Sequence, residues 1–60
     1  MTIHIQLIGD ENNREKAFDT LLENDNDFCP IDENEYFIYN ENVLRLLRAE
    51  KISFKILGRE

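Results

Sequence analysis

The sequence predicts an α+β fold of order βαββαβ, and three observations predict it. Period-two runs of β-branched residues stand near both ends, "TIHIQLI" (2–8) and "KISFKIL" (51–57). Between them lie two stretches with apolar residues at helical spacing. An aromatic and β-branched run, "EYFIYN" (35–40), separates those two stretches and has strand character.

In the first run Ile3, Ile5 and Leu7 share one face, and Thr2, His4, Gln6 and Ile8 share the other. Gly9 stops it. Asp10 or Asn12 can cap a helix, and Asn12 with Glu15 three residues on has the form of a capping box. That helix is expected over residues 11–23, with Ala17, Phe18, Leu21 and Leu22 as its apolar stripe. The run "ENDND" ends it, because Asn and Asp favour turns over helix interiors. "DFCPI" (27–31) carries Phe28, Cys29 and Ile31, enough for a short strand. Pro30 lacks an N–H and so assigns it to a sheet edge or a bulge. "DENE" (32–35) is a spacer of hairpin length before the third strand. Asn40 is placed to cap a second helix, whose stripe is Val43, Leu44, Leu46 and Leu47. Its basic residues Arg45, Arg48 and Lys51 lie off the stripe and towards the C-terminal end, where the helix dipole favours them. Ile52, Phe54 and Ile56 share a face of the last strand, which Gly58 is expected to end.

This order is the split βαβ, ferredoxin-like arrangement: a four-stranded antiparallel sheet with both helices on one face. Right-handed crossovers place strands 1 and 3 in the centre and strands 2 and 4 at the edges. If "DFCPI" does not pair, the alternative is a three-stranded βαβαβ layer. Residues 1–60 make one domain. A domain this small buries little more than half of its unfolded surface, so association is a natural source of further stability. One cysteine excludes an intrachain disulfide and suits a reducing compartment. Met1 leads into a strand pattern, not into a basic segment and a long apolar one, and no run is long enough to span a bilayer. The expectation is a cytoplasmic protein with no membrane contact.

The net charge is −6, and it is unevenly spread. Residues 10–41 hold eleven carboxylates against Arg14 and Lys16. Residues 42–60 hold Arg45, Arg48, Lys51, Lys55 and Arg59 against Glu50 and Glu60. An acidic domain repels phosphate backbones, so direct nucleic-acid binding is not expected.

Most chemistries fail on residue type and spacing. A thiol–imidazole pair needs contact between Cys29 and His4. The fold puts them on strands 2 and 1, roughly 9–10 Å apart with strand 3 between. The same pair is too small a ligand set for a transition metal. An EF-hand counted from Asp25 puts Pro30 where a glycine belongs and Tyr36 where a glutamate belongs. No phosphate loop can be built, since the only glycines are Gly9 and Gly58. RNA-binding domains on this fold stack bases on aromatics of both central strands, and strand 1 here has no Phe, Tyr or Trp. A nucleotide site built from Arg45, Arg48, Lys51, Lys55 and the strand 3 tyrosines is disfavoured by charge. No enzyme activity, metal or cofactor is expected.

What remains is "ENDNDFCPIDENE" (23–35), with six carboxylates and no basic residue. Asp25, Asp27, Asp32, Glu33 and Glu35 form a charged rim, and Phe28 and Tyr36 are the expected apolar anchors. Rim charge around aromatic anchors suits a protein interface. The functional expectation is a small inhibitor or antitoxin-like module. It docks this acidic hairpin on a basic site of a larger protein, one that normally receives nucleic acid. The alternative is a structural module that homodimerises through an edge strand or the open sheet face.

Overall fold

The computed structural model describes residues 1–24 and 28–60. Its elements are β1 (Ile3–Leu7), α1 (Glu11–Asn24), β2 (Cys29–Pro30), β3 (Glu35–Ile38), α2 (Asn42–Ala49) and β4 (Phe54–Arg59). All pairings are antiparallel and the strand order is β2-β3-β1-β4. This is the ferredoxin-like α+β arrangement, with β1 and β3 central. Cys29 and Pro30 pair with Phe37 and Tyr36, so the three-stranded alternative falls away. Pro30 tolerates this position because an edge strand needs only one set of ladder partners.

The period-two reading of β1 holds residue by residue: Ile3, Ile5 and Leu7 are buried, and His4 and Gln6 are half-buried on the open face. β3 alternates in the same way, with Tyr36 and Ile38 facing the helices. Burial raises the Tyr36 hydroxyl above its ordinary pKa, and the nearby Arg14 charge opposes that shift. From α2 come Val43, Leu44 and Leu47, and together with Ala17 and Leu21 of α1 they complete one apolar layer. The N-cap of α2 is Glu41, which makes no side-chain cap hydrogen bond, and Asn40 just before it accepts the Asn42 N–H on its Oδ1 at 2.9 Å.

Four further expectations are corrected. The buried side of α1 is Ala17, Thr20 and Leu21, whereas Phe18 and Leu22 remain exposed. Thr20 can be buried because its hydroxyl donates to the Lys16 carbonyl at 2.8 Å. The capping box does not form: Asp10 caps α1 instead, its Oδ1 accepting the Asn13 N–H at 3.1 Å. β4 starts later than expected, because Ile52 joins the core from the connection before it. Nor does Gly58 end β4. Ile5 pairs with Ile56 but His4 with Gly58, so Leu57 is an extra residue, a bulge. The bulge changes the parity of the remaining strand residues, and Arg59 comes to lie opposite the core residue Ile3. From there its Nη1 reaches Glu41 Oε1, at the start of α2, at 2.9 Å. The hydrogen bond and charge of Arg59 hold Glu41 below the usual carboxylate range. The pair therefore favours the fold at neutral pH, and its contribution is lost as pH falls through that lowered value.

Two local devices join the layers. Asn13 bridges three segments: its Nδ2 donates to the Ile8 carbonyl at 2.6 Å and the Ser53 carbonyl at 3.0 Å, and its Oδ1 accepts the Ser53 N–H at 3.0 Å. The chain enters this junction through Gly9 at φ +103°, a region that side-chain-bearing residues avoid. At the other end, α2 closes in a Schellman motif. Ile52 N–H donates to the Leu47 carbonyl at 2.9 Å and Lys51 N–H to the Arg48 carbonyl at 3.0 Å. Ile52 and Leu47, the apolar pair such a motif brings together, are both buried. Lys51 occupies the left-handed position at φ 59°, where glycine is the usual residue.

Three stability effects are expected. Leu47→Ala empties a site with no solvent exposure and should cost about 2–5 kcal/mol in denaturant melts. Asn13→Ala removes three exposed hydrogen bonds from this junction, leaving the Ser53 carbonyl with the Ile8 N–H, and should cost about 0.5–1.5 kcal/mol. Lys51→Gly relieves the left-handed backbone and should stabilise by about 0.5–1 kcal/mol. An unchanged or lowered melting temperature for Lys51→Gly would contradict the motif.

Candidate functional site

The rotation of α1 leaves an apolar pair outside the core. Phe18 and Leu22, four residues apart and so on one helix face, are 39% and 49% exposed. Glu11 and Glu15 continue that face towards the N-terminus. Across from it stands the β2–β3 connection, a tight turn in which Asp32 N–H donates to the Glu35 carbonyl and Glu35 N–H to the Asp32 carbonyl. Asp32 Oδ1 also accepts the Glu33 N–H at 2.7 Å, which fixes the turn locally. Between helix and turn runs an open groove of about 440 Å³, lined by Glu11, Arg14, Glu15, Phe18, Asp19 and Glu33.

Among the described residues, Arg14 is the one cation lining this groove, and it is engaged. Its Nη1 donates to Asn34 Oδ1 at 3.1 Å and lies 3.7 Å from Glu33 Oε2. Four carboxylates around one tethered guanidinium leave the groove negative. Its apolar floor is joined to the core by a run of rings. Phe18 meets Phe28 edge-on at 5.8 Å, and Phe28 meets Tyr36 at 5.9 Å. Such contacts hold the groove's apolar side chains rigid.

The residues expected to bind a partner are thus sorted by position. Asp32 and Glu33 are exposed on the turn. Phe28 is half-buried between Phe18 and Tyr36. Tyr36 faces the core, only 6% exposed, so its ring is not a surface anchor. Glu35 points to the open sheet face, where His4 Nε2 meets its Oε1 at 2.7 Å, so it leaves the hairpin rim. Asp25 and Asp27 lie outside the described residues. Sequence reasoning missed Glu11, Glu15, Phe18, Leu22 and Asp19 because it assigned α1 a structural role alone.

The open sheet face carries a second depression, about 530 Å³, lined by residues that include His4, Phe37, Tyr39 and Gly58. His4 and Phe37 rings touch edge-on at 5.2 Å. Cys29 pairs with Phe37, which pairs with His4, so Phe37 separates the thiol from the imidazole. Among the described residues, no group of three or more His, Cys, Asp or Glu side chains is arranged to hold a metal ion. Among them, too, no helix is long and apolar enough to cross a membrane. The chain matches no family, no curated protein and no solved structure with which it was compared.

Proposed function

We propose that this chain is a small, non-enzymatic protein-binding module, inhibitor or antitoxin-like in action, that docks on a basic site of a larger protein. The observation that carries the reading is the groove beside α1. Phe18 and Leu22 stay outside the core although they belong to the apolar stripe of the helix; Phe18 lines the groove with Glu15, Asp19 and Glu33, and Leu22 follows it one turn on along the same helix face. Exposed apolar anchors inside a ring of one charge are suited to a partner of opposite charge and matching apolar surface. A basic cleft that otherwise receives phosphates has that character, and the carboxylates here would occupy the phosphate positions. The groove is open to water, which favours contact over acid–base chemistry. Cys29, exposed and free, suits a reducing, cytoplasmic compartment. The proposed surface keeps Asp32, Glu33 and Phe28 of the acidic hairpin and adds the outer face of α1.

The test uses partner captured from the native host by the tagged chain, then purified. Glu15→Gln, Asp19→Asn, Asp32→Asn and Glu33→Gln together should leave the fold intact, since exposed carboxylates contribute little to stability. Affinity should fall about tenfold or more at low salt, because each rim pair contributes roughly 0.2–1 kcal/mol. Association by the native chain should also slow steeply as ionic strength rises. Phe18→Ser with Leu22→Ser should abolish binding by removing the anchors. Unchanged affinity in the folded charge variant would refute the role of the groove.

A further inference from the structure

The opposite edge of the sheet carries a second unfilled apolar surface, of opposite charge. Phe54 and Ile56 of the edge strand β4 are only half-buried, and Ile8 beside them is exposed. With Arg48, Ile52 and Ser53 they line a groove of about 380 Å³. The Arg48 guanidinium lies over the Phe54 ring, 5.6 Å from its centroid, so the groove is bordered by a cation held on its apolar floor. Arg45, one turn before Arg48 on the same helix face, and Lys51, next to Ile52 in the chain, are exposed, whereas Lys55 pairs with Gln6 and lies on the opposite, open face of the sheet.

We infer that this basic edge is the docking site for the acidic groove of a second copy of the same chain. Complementarity identifies the occupant. One face offers Phe18 among Glu15, Asp19 and Glu33, with Leu22 exposed one turn further along the helix. The other offers Phe54, Ile56 and Ile8 bordered by Arg48, with Arg45 one turn away on the same helix face. Strand order β2-β3-β1-β4 puts the β2–β3 turn at one edge and β4 at the other, so the two faces belong to opposite sides of the molecule. A copy that docks its basic edge in a neighbour's acidic groove therefore still presents its own acidic groove. The contact is heterologous, and it propagates head to tail instead of closing at two copies. The net charge of −6 works against this assembly at long range, so the contact is weak and needs high protein concentration. The acidic face is shared with the proposed partner site, but self-association requires no partner and is tested on the chain alone.

The experiment is sedimentation equilibrium at low ionic strength over rising concentration. The native chain should give an average mass that climbs past the dimer. Arg45→Glu with Arg48→Glu reverses the basic face, and Glu15→Lys with Asp19→Lys reverses the acidic face. Each variant alone should remain monomeric. Mixed in equal amounts, the two chains again present opposite charges at both contacts, so the mixture should regain growth past the dimer. The milder Arg45→Gln with Arg48→Gln should weaken self-association by about tenfold or more and decides the matter if the reversed chain does not fold. A native chain that stays monomeric, stops at a dimer, or associates unchanged in the folded variants would overturn the inference. Basic-face variants should bind the captured partner as the native chain does, which separates this failure from failure of the proposed function.

Discussion

One apolar layer, one side chain thick, holds this domain together. Ile3, Ile5 and Leu7 of β1 meet Ala17 and Leu21 of α1 and Val43, Leu44 and Leu47 of α2, with Tyr36 and Ile38 from β3. β1 lies at the centre because it alone pairs on both sides with strands longer than two residues. A chain of sixty residues has material for one such layer and no second. The helices therefore cover the middle of the sheet and not its edges. Phe54 and Ile56 on β4, and Phe18 and Leu22 on α1, are among the apolar side chains this geometry leaves incompletely covered. Surplus apolar surface at the two edges follows from small size, and both candidate interfaces lie there.

Much of the fold was legible because it depends on period and on punctuation. Alternation in 3–7 and helical spacing in 43–47 are statements about which side chains share a face, and both survive folding intact. Pro30 marked an edge because a missing N–H has the same consequence in any sheet. Less legible were the features set by tertiary contact. Four apolar residues in α1 define a wide stripe, and only the position of Phe28 and the helix neighbour α2 selects which part is buried. Asn13 resembled an ordinary first-turn residue, yet it binds Ser53, forty positions away. The bulge at Leu57 leaves no mark in an alternating sequence, and it alone turns Arg59 towards Glu41.

The candidate site was half legible for a related reason. Charge density pointed to the hairpin, and Asp32 and Glu33 are exposed there. The anchor assignment failed at Tyr36, although a signal existed. Tyr36 and Ile38 are two apart on one strand, so a buried Ile38 implies a buried Tyr36. Glu35 obeys the same parity in the other direction and joins His4 on the open face. Once Tyr36 is inside, Phe28 leans on it and Phe18 leans on Phe28, and the exposed anchors move to α1. The acidic rim and the apolar floor thus come from different elements, which no single stretch of sequence displays.

The segregation of charge along the chain becomes a segregation in space, and the topology explains why. Residues 10–41 build α1, β2 and β3, the half of the molecule at the β2 edge; residues 42–60 build α2 and β4, the half at the β4 edge. A chain acidic in its first block and basic in its last therefore folds into a body with an acidic edge and a basic one. Had the basic residues been placed in β3, they would lie in the middle of the sheet and pair internally. As it is, few of the charges find an internal partner: among the described residues, the ion pairs are Arg14–Glu33 and Arg59–Glu41, and Glu35 hydrogen-bonds with His4. Arg45, Arg48, Lys51 and Lys55 on one side, and Glu11, Glu15 and Asp19 on the other, keep their charge available to other molecules. If both proposals hold, a larger basic partner and a second copy of the chain would draw on the same acidic groove, and occupancy by one would exclude the other. Binding to the partner would then lower the concentration of chains free to assemble, and assembly would hide the surface the partner would use.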